Sequence, residues 1–418
     1  MCHKVLPSQY NALGIHRRKF EYAIKKSKGD IKMPNTNTTK TEILSIHTLT
    51  YRYRCSFQTY YGLFQYLVQN RNCIFTKHKH KKCEKYTTRT LHPLGFNRIE
   101  FIDCMIPDRD YHEYKIKFTI NPRILTGQTS QPRTHIIAKE QLSQLPDILD
   151  TAIHDLCSPY KEQLTDGKFQ RIDYCCNLWF IEQEVAEEYM RLLRKALIPY
   201  PFKLEKILSN TQHRYIPEPN AITITCKSYQ LSIYLKLNQL LDEITRQENG
   251  IIPSEHASEI ENATGQIRIE LREYRSQLRI NKKKIHCGND EALLLNGSNT
   301  HPYTTLCKRL GSMYGTGDFW LYDDARDIIK GSNYKPRIKK ELLEILKVVN
   351  APKSGLDISK NGFDYTYLKN HMRYFNELDL SPITISQKSF KRCGENFFPN
   401  PRKYISGETA ELLRTSDI

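Results

Sequence analysis

Phe169-Gln-Arg-Ile-Asp-Tyr-Cys-Cys-Asn-Leu-Trp-Phe180 is the stretch on which the fold turns. It opens with the alternating triplet Arg171-Ile172-Asp173, and the same signature returns as Tyr234-Leu235-Lys236 and Arg268-Ile269-Glu270. Side chains in a strand alternate faces with period two, so each central apolar residue can enter a core while its neighbours share the opposite face. One sheet face then collects Asp173, Glu270, Arg171, Arg268, Tyr234 and Lys236. Such a set suits metal-assisted chemistry on a phosphodiester: the carboxylates hold Mg2+ or Mn2+, a tyrosine supplies an oxygen nucleophile, and the cations face phosphate. The competing interpretation is a row of cross-strand ion pairs on a solvated face.

Working outward, the periodicity predicts strands at Glu42 to Arg54, Asn97 to Met105, Tyr111 to Asn121, Asn220 to Lys227, Leu231 to Lys236 and Gln266 to Arg272. The second and third should form a hairpin. Helical spacing appears at Tyr60 to Val68, Lys139 to Cys157, Glu182 to Leu197 and Leu237 to Arg246, followed by a polar linker to about Gly265. Strands interleaved with helices predict an α+β palm, an antiparallel or mixed sheet with helices on one face. From about Asn281 the strand signal fades, and Asp323 to Lys330, Arg337 to Val348 and Tyr365 to Leu378 read as helices, with Asp357 to Lys360 as a cap or link between two of them. The expected organisation is a basic arm poor in packing signals at 1–41, the palm at 42–280 and an α-helical domain at 281–418.

The chain carries a net charge of +17, unevenly placed. Met1 to Glu100 holds 19 Lys plus Arg against 5 Asp plus Glu, so the N-terminal quarter is the part that faces a polyanion. No apolar run approaches the roughly 18 residues that span a bilayer, and the first twenty residues lack a signal peptide's apolar core. A cytoplasmic protein with no membrane partner is expected. Its 12 cysteines, irregularly spaced, read as free thiols rather than a disulfide framework, and adjacent Cys175 and Cys176 should point to opposite faces.

Set in order, these segments resemble the phage and plasmid replication initiation proteins that start rolling-circle DNA replication, relatives of the filamentous-phage gene II protein and the staphylococcal plasmid Rep family. The matching residues are Tyr114-Lys-Ile-Lys-Phe-Thr-Ile-Asn-Pro-Arg123 with Gly127, Arg171-Ile-Asp-Tyr-Cys-Cys-Asn-Leu178, Cys226-Lys-Ser228, Ile233-Tyr-Leu-Lys-Leu-Asn-Gln-Leu240 and Ile267-Arg-Ile-Glu-Leu271. Thr316-Gly-Asp-Phe-Trp320 and Tyr374 to Ile385 extend the resemblance, which covers about Glu113 to Tyr404. It implies a bacterial protein that nicks one origin strand: a tyrosine attacks the phosphodiester, stays joined to the 5′ phosphate and leaves a 3′ hydroxyl. The implied partners are origin DNA, single- and double-stranded, a host helicase and polymerase, and a second copy in a homodimer. The expected nucleophile is Tyr234 or Tyr229, with Asp173 and Glu270 expected to hold the metal, Lys236 to assist the phenol, and Arg171, Arg268 and Lys227 to meet phosphate. The sequence departs from relatives at Thr223, where a tyrosine often stands. That departure keeps open a non-catalytic DNA-binding or regulatory protein on the same fold, and behind it an RNA-binding one.

Cys73, His78, His80 and Cys83 carry zinc-type donors at an unusual spacing, but the lysines around His78-Lys79-His80 favour a solvated basic loop, with Lys79, Lys81 and Lys82 able to meet DNA and Phe75 and Tyr86 able to stack on bases. Gly311-Ser-Met-Tyr-Gly-Thr-Gly317 lacks the ending of a phosphate loop and reads as a turn between helices. Asp323-Asp324 reads as a helix N-terminal cap, and His154 as a packed or boundary residue on its helix.

Overall fold

The computed structural model describes residues 38–80, 83–106, 111–127, 137, 141–205, 220–247, 253–284, 286, 290, 301–351, 355–356, 362–395 and 397–406. The basic arm up to residue 37, Lys81, Lys82 and the Asp357 to Lys360 link lie outside them. The chain divides into two compact units, one of residues 39–190 and 198–309, the other containing 191–197 and the chain from 310 onward.

The first unit is built on one antiparallel sheet, so the α+β reading holds in its antiparallel form. In chain order its elements are β1 (Thr38–Cys55), α1 (Phe57–Arg71), β2 (Thr76–His80), β3 (Cys83–Thr88), β4 (Phe96–Ile106), β5 (Tyr111–Ile120), α2 (Leu145–Cys157), β6 (Thr165–Phe180), α3 (Gln183–Leu193), β7 (Lys203–Leu204), β8 (Ala221–Thr225), β9 (Tyr229–Leu235), α4 (Lys236–Gln247), α5 (Ala257–Ala263), β10 (Gln266–Tyr274) and α6 (Arg275–Lys284). The ten strands run in the order β2-β3-β4-β5-β1-β6-β10-β9-β8-β7. The hairpin expected from Asn97 to Asn121 is the β4–β5 pair, in which Glu100 faces Lys117 and Phe101 faces Ile116.

Alternation sorts the sheet into an apolar and a charged side. Ile99, Phe101, Ile116 and Phe118 are fully buried, and α1 covers them, with Tyr60 and Phe64 each edge-on to Phe101. The α1 helix starts where it does because Ser56 Oγ accepts the Thr59 N–H at 3.1 Å and ends at Asn72, whose left-handed backbone (φ 51°) stops the helical turn. Leu63 and Leu67, one turn apart on its inner face, are 0% exposed, each contributing about 2 kcal/mol by removal from water.

Two expectations are corrected in this half of the sheet. The segment around His78 is not a loop but β2, the outermost strand, paired with β3 from Thr76↔Thr87 to His80↔Cys83. Lysines that read as loop in the sequence are also what protects an edge strand from pairing with another chain. Cys83 is not a free thiol: it stands opposite Cys104 in the β3–β4 ladder and is disulfide-bonded to it. The pairing depends on strand register, which a separation of 21 residues does not reveal. Cys73 is buried, and the described residues contain no group of three or more His, Cys, Asp or Glu placed to hold a metal. Cys175 and Cys176 are both buried.

α7 (His301–Tyr314) precedes the second unit's β11 (Phe319–Trp320), α8 (Tyr322–Gly331), α9 (Pro336–Asn350), α10 (Tyr365–Glu377), α11 (Gln387–Cys393), β12 (Phe397–Phe398) and α12 (Pro401–Ser406). Gly311 to Tyr314 form the last turn of α7, and the turn expected there begins one residue later, at Gly315 with φ 77°. The helical pattern was legible; the small β11–β12 pair, Phe319↔Phe398 and Trp320↔Phe397, was not. It is fixed by Asp318, 3% exposed, which accepts the Asn400 N–H at 2.8 Å and the Lys403 ammonium at 2.8 Å. Among the described residues no helix is long and apolar enough to cross a membrane.

Candidate active site

The triplets that open the sequence reading fall on β6, β9 and β10, which are neighbours. Arg268 stands opposite Asn177 on β6 and Tyr234 on β9; Glu270 stands opposite Cys175 and Ser232; Arg272 stands opposite Asp173 and Gln230. Arg171, Asp173, Arg268, Glu270 and Tyr234 therefore share one face, as alternation requires. Asp173 and Glu270 are diagonal neighbours across the β6–β10 ladder, a separation of roughly 7–8 Å between their backbones. Leu231, Ile233, Ile267, Ile269 and Ile172 fill the opposite, buried face.

Each carboxylate has its own partners. Asp173, 2% exposed, lies 2.9 Å from Arg171 Nε and 3.1 Å from Arg272 Nε. Burial raises its carboxyl above the ordinary range against the pull of both guanidiniums. Glu270 Oε1 accepts the Tyr234 hydroxyl at 2.6 Å and lies 3.5 Å from His47 Nε2. Burial alone would raise the Glu270 carboxyl, but His47, Arg268 and the tyrosine hydrogen bond outweigh it and hold it low. Burial and the neighbouring Glu270 charge hold the Tyr234 phenol well above its usual range.

Arg268 is fully buried. Its Nε donates to Asn177 Oδ1 at 2.8 Å, and its Nη1 lies 3.3 Å from His47 Nε2. Burial lowers His47 to about 4, with Glu270 opposing and Arg268 and Lys236 pushing further down. The ring is therefore neutral at physiological pH and can accept from the guanidinium. Lys236 opens α4, is 6% exposed, and donates from Nζ to Gln239 Oε1 at 2.6 Å. Burial and then Arg268 lower it to about 7, against Glu270 and Glu243. Its charge also lowers His47.

The remaining sequence candidates are dispersed. Tyr229, the alternative nucleophile, alternates onto the opposite face, is 8% exposed and lies under the Arg309 guanidinium; burial pushes it to about 12. Lys227 is exposed in the β8–β9 turn. Lys79 is exposed on β2, six strands from β10 in the sheet order, roughly 30 Å away at the usual strand spacing. Thr223, where relatives carry a tyrosine, lies on the same face as Tyr234, its hydroxyl 3.2 Å from Ser232. Sequence reasoning missed His47, Arg272 and Asn177. Arg272 was reachable by extending the alternation of β10 by one step; His47 had no signal, because only the strand order brings β1 to within two strands of β10.

The chain matches no protein-family profile and no curated protein. Among solved structures, a rolling circle replication initiator protein from Geobacillus stearothermophilus aligns over 66% of this chain and 86% of its own, with 6% identity and a TM-score of 0.30. The residues above, not this overlap, carry the functional reading.

Proposed function

We infer that the chain is a rolling-circle replication initiator that acts on DNA through Tyr234. The observation that carries this is the 2.6 Å hydrogen bond from the Tyr234 hydroxyl to Glu270, on a partly exposed sheet face that also holds Arg171, Arg268 and Arg272. A nucleophile already bonded to a base, with the base in turn positioned by a third group, is the general arrangement for oxygen attack. Glu270 takes the phenolic proton as the tyrosine oxygen bonds to phosphorus, the bond to the 3′ oxygen breaks, and that oxygen leaves as a hydroxyl after protonation. The partly exposed Arg171 and Arg272 guanidiniums offset charge gathering on the phosphoryl oxygens.

The expected Mg2+ or Mn2+ fits these residues poorly. Asp173 Oδ1 is already matched by two guanidiniums, which leaves Asp173 Oδ2 and Glu270 Oε2 as separate donors. Helicase, polymerase and a second copy of the chain remain proposed partners on the resemblance alone.

A second reading, a DNA-binding protein without nicking activity, is favoured by the raised Tyr234 phenol and by Thr223. One experiment separates them. Single-stranded oligonucleotides tiled across the DNA flanking the gene are incubated with the protein with and without Mn2+, and covalent adducts are resolved on denaturing gels. Adduct from the wild type and at least a thousandfold less from Tyr234→Phe is expected. Undiminished adduct from Tyr234→Phe overturns the assignment of the nucleophile; binding with no wild-type adduct favours the second reading.

A further inference from the structure

The charged side of the sheet continues past the candidate site into β1, β3, β4 and β5. The ladders place Arg52 opposite Lys117 and Arg54 opposite Lys115, Lys117 opposite Glu100, and Lys85 beside Glu100 through Ile102 and Thr87. Seven cations, Arg52, Arg54, Lys85, Arg98, Lys115, Lys117 and Lys168, share only three carboxylates, Glu100, Glu113 and Asp166. The surplus is four positive charges on one side of four adjacent strands and the start of β6. The buried Nε atoms of Arg52 and Arg98 have no hydrogen-bond partner. β1, which carries Arg52 and Arg54, is the sheet neighbour of β6, which carries Arg171, and the Arg98 charge lowers the Arg171 guanidinium after burial and the nearer groups, so the row runs up to the site.

We propose that this face is a track for the phosphodiester backbone of the DNA on which Tyr234 acts, extending the substrate contact from β10 across to β3. The inference rests on the reading of Tyr234 and Glu270 as a DNA site. A surplus of guanidinium and ammonium groups in a row is complementary to a chain of phosphates. The aromatic residues of these strands, Tyr51, Tyr53, Phe101 and Phe118, alternate onto the other face and are buried. The track therefore contacts backbone and not bases, and supplies affinity without sequence preference. It also accounts for strands that the nicking chemistry itself does not use.

The test removes charge while leaving every buried carboxylate a partner. In Arg54→Gln/Arg98→Gln/Lys168→Gln, Glu100 keeps Lys85 and Lys117, Glu113 keeps Lys115, and Asp166 keeps Arg52. A control variant, Lys335→Gln/Lys340→Gln/Lys388→Gln, removes equal charge from exposed positions of the other unit. Affinity of the full chain for single-stranded and duplex oligonucleotides is measured against salt, with urea unfolding to confirm that each variant folds. Losing three phosphate contacts should flatten the log–log salt slope by about 2 for single strands and by nearly 3 for duplex, and the control should match the wild type. The arm with the larger loss identifies the form held. Coincident slopes for the track and control variants overturn the proposal. A normal wild-type slope, flattened in the track variant, with no covalent adduct refutes nicking alone; adduct formation with an unflattened slope refutes the track alone.

Discussion

Replacing Asp173 by asparagine should destabilise the first unit by about 3 kcal/mol. Its carboxylate is 2% exposed and is shared by Arg171 and Arg272 at 2.9 and 3.1 Å. Breaking a buried ion pair from one side costs about 3–5 kcal/mol, because the surviving charge stays desolvated. Here the two guanidiniums are 22% and 27% exposed, so water recovers part of the loss and the lower end applies. Arg272→Met should cost less, about 1–2 kcal/mol, since Asp173 keeps Arg171. The ordering is as informative as the size. Urea unfolding followed by Trp179 fluorescence in a Trp320→Phe background reports on β6 alone, the chain having two tryptophans. With a urea slope near 3 kcal/mol per molar for a unit of this size, the Asp173→Asn midpoint should fall by about 1 M. A midpoint unchanged, or raised because a poorly matched acid has been removed, would refute the assignment of Asp173 as an ion-pair centre and would restore it as a metal ligand.

The other predictions concern the site's protons and its frame. Lys236 titrates near 7 when folded and near 10.5 when unfolded, so between these values the unfolded chain binds the extra proton; stability rises with pH across this window and is lost as pH falls toward 7. The difference between wild type and Lys236→Met, followed by urea unfolding from pH 6 to pH 10, should change by about 3–5 kcal/mol in that direction, and a pH-independent difference contradicts the buried lysine. Gly265→Ala should cost at least about 2 kcal/mol, because a Cβ there meets the Phe180 carbonyl oxygen at 2.3 Å in a backbone with φ +70°; thermal unfolding equal to wild type would show that the β6–β10 end relaxes. Glu270→Gln, which keeps the bond geometry but not the base, should suppress adduct formation by about a hundredfold or more while leaving DNA affinity within twofold; gel-quantified adduct and fluorescence anisotropy check the two halves.

Much of the sheet was legible because alternation is a local property. β5, with Glu113-Tyr-Lys-Ile-Lys-Phe-Thr-Ile, and β10, with Gln-Ile-Arg-Ile-Glu-Leu, state which face each side chain takes before any partner is known. The helices of the second unit were equally readable from their spacing. Strand β2 was missed because Thr76-Lys-His-Lys-His80 has no apolar phase; backbone pairing with β3 makes it a strand, and backbone pairing leaves no trace in composition. The Cys83–Cys104 bond was missed for the same reason.

The sequence by itself determined that Asp173, Glu270, Arg171, Arg268 and Tyr234 lie on one side of their strands, because period two follows from the geometry of a single extended chain. Only the tertiary structure decided how they pair. Strand order and register set Arg272 against Asp173 and bring His47, from β1, to Glu270. They give Asp173 and Glu270 different partners, Arg171 and Arg272 for the one and Tyr234 and His47 for the other, and the energy of a charge near another falls with a distance that the chain alone does not specify.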